Sequence, residues 1–132
     1  MMKTLSQEYA NTVYQQVQKY VDKPEGDKPE KERKQYGAMA HKLPILVRQA
    51  GLLQAITFVY TRGKPGHTNL LKDLAQTVCK NDPESFLGKC RTDELSDYIW
   101  LTRKTLAALE WYKRFAESVL GVKASDDGGE DE

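Results

Sequence analysis

Two cysteines, two histidines and no long uninterrupted apolar run leave this 132-residue chain without most devices that small proteins use for chemistry or anchorage. Cys79 and Cys90 form no CxxC motif and have no histidine beside them, so spacing alone makes no zinc site with His41 and His67. Two reduced thiols are the expectation. No apolar stretch reaches membrane-spanning length, and the opening MMKTLSQEY lacks a signal-peptide core, which points to a soluble, cytoplasmic protein. There is no GxxxxGK[ST] loop, no nucleophile with a base at a useful spacing, and no pair of carboxylates set for acid–base work. Neither a catalytic residue, a metal nor a cofactor is expected, and the chain does not read as an enzyme. Period-two alternation of useful length is missing too, which argues against a sheet.

Charge is present and unevenly placed. The net value is only +1, from 20 bases and 19 acids, but the last nine residues, Ala124 to Glu132, hold five acids and no base. The preceding 123 residues therefore carry 20 bases against 14 acids, a balance of +6. A modestly basic body suits a polyanion, and it equally suits a solvated helical surface.

Apolar residues recur at threes and fours through most of the chain, so the fold class is all-α. A single compact domain of five or six helices should fill residues 1–122. Leu5, Tyr9, Val13, Val17 and Tyr20 define a first helix over 5–21. Residues 23–30, with two prolines and a glycine, read as a linker. A second helix is expected over 31–50 with a break near Pro44, a third over 52–61, then a turn at 62–67 and a fourth helix over 68–80. Residues 81–89 read as a loop, after which Thr92 caps a long final helix to about Leu120. The acidic remainder, 123–132, offers no apolar surface to offset its ordering entropy and is expected to be disordered.

The most informative stretch is Tyr36 to Phe58, YGAMAHKLPILVRQAGLLQAITF. A helical period runs straight across Pro44, and Gly51 follows the last periodic residue, where a left-handed cap costs glycine least. The order of features here is Tyr36-Gly37, His41-Lys42-Leu43-Pro44, Arg48 with Gly51-Leu52, then Gln54-Ala55 and Phe58. It resembles the small helical subunit of type III-B CRISPR effector complexes, the Cmr complex. Trp111, Lys113, Arg114 and Phe115 on the last helix agree with that family, and the likeness spans most of residues 1–120. The resemblance implies a non-catalytic subunit of an RNA-guided interference complex in antiviral defence. Its implied partners are the backbone and large polymerase-like subunits, further copies of itself, and guide and target RNA.

On a helical wheel Lys34, His41 and Arg48 share one exposed face, with Ile45 among them and Lys42 beside them. By spacing this is a solvated face or a row that follows a phosphate backbone. The resemblance implies the second, since Lys42 and Arg48 belong to the matched motif. Exposed Ile45 on a basic face fits a partner contact. Arg62, Lys64 and His67 flank two glycines in a turn that could cradle a phosphate. On the final helix Leu95, Ile99, Leu106, Leu109 and Leu120 form one apolar face, with Trp100, Ala107, Ala108, Trp111 and Phe115 opposite. That breadth means either a buried central helix or a second surface on which Trp100 and Trp111 meet a partner. A helical adaptor without nucleic-acid contact is the main alternative. A helix-turn-helix regulator would have only Asn69, Lys72 and Gln76 as polar reach on its recognition helix, which is thin for major-groove readout.

Overall fold

The computed structural model describes residues 3–21 and 27–127, and among them only helices and turns occur. Six α-helices, α1 (Leu5–Val21), α2 (Asp27–Ala50), α3 (Leu52–Arg62), α4 (Pro65–Cys79), α5 (Pro83–Thr92) and α6 (Leu95–Ser118), precede a short 3₁₀ turn at Ala124–Asp127. The two 24-residue helices, α2 and α6, pack together, with α1 against α6 and α4 against α2. One apolar core draws on all six helices, and Tyr36, Tyr112, Phe86, Met39 and Leu43 are its largest fully buried side chains. No described helix is long and apolar enough to cross a membrane.

Local chemistry explains the helix ends. Thr4 Oγ1 accepts from the Gln7 amide at 3.0 Å while Gln7 Oε1 accepts from the Thr4 amide at 2.8 Å, a reciprocal box that starts α1. Gly51, at φ +92°, both ends α2 and begins α3: its amide donates to Val47 and its carbonyl accepts from Ala55. In the first turn of α3 the Leu53 amide donates to the hydroxyl of Tyr98 on α6 at 3.0 Å, so a distant helix supplies part of the cap.

Several expectations need correction. Pro44 does not break α2. It lies inside a continuous helix and is buried, so its burial offsets the lost hydrogen bond. Residues 27–30 belong to α2 rather than to a linker, while 23–26 lie outside the described residues. The expected loop at 81–89 is mostly helix α5. Asp82 caps it by accepting from the Ser85 amide at 2.8 Å, Pro83 sits in the first turn, and Phe86 is buried. Thr92 therefore ends α5 instead of capping α6, which begins at Leu95 after Glu94. The buried face of α6 is Leu101, Thr105, Ala108, Leu109, Tyr112 and Ala116, and Leu95 and Ile99 are exposed. Past Lys123 the chain makes the 3₁₀ turn at Ala124–Asp127, which packs on α2, and residues 128–132 lie outside the described residues.

Candidate nucleic-acid interface

The inner side of α2 fixes how its outer side is presented. Tyr36 points inward and donates to Asp73 Oδ2 on α4 at 2.7 Å. Asp73 leads into a polar seam. Gln16 on α1 donates to the Asp73 carbonyl at 3.2 Å and to Thr77 Oγ1 at 3.1 Å, and it accepts from the Tyr112 hydroxyl on α6. Burial, followed by the nearby Asp73 charge, raises the Tyr36 phenol well above its ordinary value. Burial likewise raises the Asp73 carboxyl, although the Tyr36 hydrogen bond opposes it. Gln35 accepts from the Gly66 amide at 3.0 Å, and a Cβ on Gly66 would lie 2.5 Å from the Glu32 carbonyl oxygen. The start of α4 is thus pressed directly onto α2.

The strap that follows α6 edges the outer side. Gly121, at φ +68°, lets the Val122 amide donate to the Ala116 carbonyl at 2.9 Å, closing α6 in a left-handed cap. Val122 then seats on Gly37, where an added Cβ would fall 2.6 Å from the valine Cβ. The Leu120 carbonyl accepts from Arg33, and His41 Nε2 lies 2.8 Å from the Val122 carbonyl. A carbonyl only accepts, so Nε2 carries the proton.

Lys34, His41, Ile45 and Arg48 do lie along one side of α2, but they are unequally open. Lys34 is exposed and 3.9 Å from Glu30. His41 is half-buried under the strap, and Lys42 beside it is also half-buried. Arg48 extends toward Glu110 at 3.7 Å, and Glu110 also holds Arg114 at 3.9 Å. These are long contacts between exposed groups, each worth only a fraction of a kcal/mol (~0.2–1). Ile45 projects to solvent at 52 % exposure.

The α3–α4 joint is tighter than a phosphate cradle requires. Only Gly63 is open, at φ +74°, because Gly66 is packed on α2 and its amide is already bonded. The Arg62 guanidinium lies 5.1 Å from the centre of the Phe58 ring, the Lys64 ammonium is out of solvent, and His67 is fully buried.

The two tryptophans separate. Trp111 is half-buried between α1 and α6, donating to Ser6 Oγ at 3.2 Å and stacking on Phe115. Trp100 stands 54 % exposed with Leu95 at 73 % and Ile99 on the same end of α6, and Lys104 lies 5.9 Å over its ring. By period Leu95 and Ile99 share one apolar face of α6; α3 reaches that turn through Tyr98, but leaves Leu95 and Ile99 exposed. Cys79 and Cys90 are free, and burial pushes the Cys90 thiol up to about 12. No group of three or more metal-ligating side chains occurs among the described residues.

Residues 5–119 match the family model for the CRISPR-associated protein Cas_Cmr5. The chain belongs to the Cmr5 family. It is 45 % identical over 119 residues to the CRISPR system Cmr subunit Cmr5 of Thermus thermophilus, covering 90 % of this chain and 98 % of that relative. A crystal structure of a CRISPR-associated Cmr5 family protein from Thermus thermophilus superposes with a TM-score of 0.78 at 43 % identity, over 90 % of this chain and 99 % of the other. The family match stops at 119, so the strap and acidic tail lie beyond it.

Proposed function

We propose that this Cmr5-family chain is a non-catalytic structural subunit of a type III-B CRISPR interference complex. It lies in copies along the assembly and contacts the backbone of the guide–target RNA. The observation that carries this reading is the outer side of α2, where Lys34 and Arg48 flank Ile45 with only weak partners among the described residues. Cations held loosely by exposed carboxylates exchange those partners for phosphates at little cost, and they neutralise a backbone without reading its sequence. Base pairing then supplies the specificity, so the subunit needs no base-reading residues.

Charge reversal at Lys42 and Arg48 together tests the assignment. In the reconstituted complex, target-RNA affinity should fall and the log–log salt dependence should flatten by roughly one unit per lost contact. A double variant that matches wild type in affinity and slope assigns this side to protein or solvent. The adaptor reading has its own observation in Leu95, Ile99 and Trp100, an exposed apolar turn suited to a partner subunit. It predicts a blue-shift of tryptophan emission on assembly, with no RNA affinity at any salt.

A further inference from the structure

We propose that the groove between α4 and α5 holds a single strand of RNA by its phosphodiester backbone. The site is separate from the outer side of α2 and does not depend on the contact proposed there.

The groove is open and has a volume of about 480 Å³. Its α4 wall presents Lys72, Gln76 and Lys80, all exposed and four residues apart. Each step of four advances about 6 Å along a helix and turns little around it. Three donors therefore stand in one row, at a stride comparable to that between neighbouring phosphates on an extended strand. The two ammonium groups are also available. Arg33, Lys34, Arg48, Lys89 and Arg114 each reach a carboxylate, whereas Lys72 and Lys80 form no ion pair among the described residues. Lys80 adopts a left-handed backbone at φ +58°, the sole case other than glycine among the described residues. Its amide closes α4 on the Gln76 carbonyl at 3.0 Å, a position that suits glycine best, and the turn sets the lysine at the end of the row.

The start of α5 forms the facing wall, with Asn81, Asp82 and Glu84. Asn81 Oδ1 accepts from the Asp82 amide at 2.9 Å, which leaves its side-chain nitrogen to donate. Both carboxylates are engaged, Asp82 by the Ser85 amide at 2.8 Å and Glu84 by the Tyr60 hydroxyl at 3.1 Å. They also sit at the positive end of α5, which offsets part of their charge. Tyr60 is 41 % exposed beside Glu84 and offers a ring on which an unpaired base can stack. A basic row with an adjoining aromatic selects a single strand, because a duplex keeps its bases stacked inside. Gly66 and Asp73 fix α4 to the inner side of α2, so this row lies apart from Lys34 and Arg48.

The test titrates the isolated full chain with a short oligouridylate at low salt and follows backbone amide resonances. Residues 72–84 should shift. Lys72→Gln combined with Lys80→Gln should weaken binding roughly tenfold and lower the log–log salt slope by about 1.4, the value for two phosphates of a single strand. Tyr60→Leu should weaken binding several-fold at an unchanged slope, since stacking releases no counterions. Duplex RNA of the same length should bind the groove less tightly. Residues 72–84 that stay unmoved at millimolar oligonucleotide overturn the proposal, and so does a double lysine variant that binds like wild type. Duplex bound as tightly as single strand, or an unaltered Tyr60→Leu, makes the groove a general anion site and overturns the single-strand assignment. Shifts confined to residues 34–48 sink this site and leave the α2 reading standing, whereas shifts confined to 72–84 support it whatever α2 does.

Discussion

The two sides of α2 are built from similar chemistry and put to opposite use. On the inner side Gln35 and Tyr36 are buried, and their polar atoms meet designated partners at 3.0 and 2.7 Å. On the outer side Lys34 and Arg48 reach theirs only at 3.9 and 3.7 Å, in solvent. A buried polar group left without its partner loses the full desolvation term, whereas an exposed one turns to water. Substitutions on the inner side should therefore register in stability, and those on the outer side in binding.

The sharpest break should come where α4 meets the inner side. Gly66→Ala puts a methyl against Gln35 Cβ and the Glu32 carbonyl, which cannot retreat without moving α2. A loss of roughly 2–3 kcal/mol is expected in urea unfolding, against the gain that alanine ordinarily gives inside a helix. A stabilised variant would show that the two helices are not in contact.

Next in size is Tyr112→Phe. It removes the hydroxyl that serves Gln16 and Thr77 and should cost roughly 1–3 kcal/mol, with little change in helical circular dichroism. A neutral result would mean that water satisfies the seam.

Asp73 sharpens the comparison through pH. Its folded carboxyl lies above the ordinary value because burial disfavours the charge, so the folded state holds the proton more firmly than the unfolded chain does. Stability from this group is complete below the unfolded value and declines as pH rises through the folded one. Asp73→Asn keeps an acceptor for Tyr36 and should flatten that decline, which denaturant midpoints measured from acid to neutral pH would reveal. Parallel profiles would remove Asp73 from the account.

The smallest effect is expected outside. Arg48→Ala should change stability by no more than about 0.5 kcal/mol, since its contact with Glu110 is long and exposed. A larger loss would make the outer side as structural as the inner one.

How much of this the sequence disclosed differed by feature. The all-α class and the common side of Lys34, His41, Ile45 and Arg48 follow from helical periodicity, which tertiary packing left intact here. The Tyr36-Gly37 pair was visible, but its reason was not: Tyr36 serves Asp73 and Gly37 receives Val122, both distant in sequence. The α5 helix was missed although Asp82-Pro83-Glu84-Ser85 carries a cap, a first-turn proline and a first-turn acid. Reading proline and aspartate there as loop residues overlooked their role at helix starts. The strap over His41 left no local signal, because it depends on where α6 ends in space. Leu95 and Ile99 show a similar limit: period identifies their face, but only the neighbouring helices decide whether that face is covered.

The one-residue corner at Gly51 has a consequence for how the molecule is made. The first turn of α3 is closed by Tyr98, and the notch at Gly37 is closed by Val122, so two early helices wait for groups that leave the ribosome much later. Contacts of such long sequence separation form late and slow the search. A chain that stops short of α6 leaves the α6-facing apolar surface of α2 uncovered, although α3 and α4 can still pack on that helix. It should aggregate or be degraded rather than persist as a smaller domain.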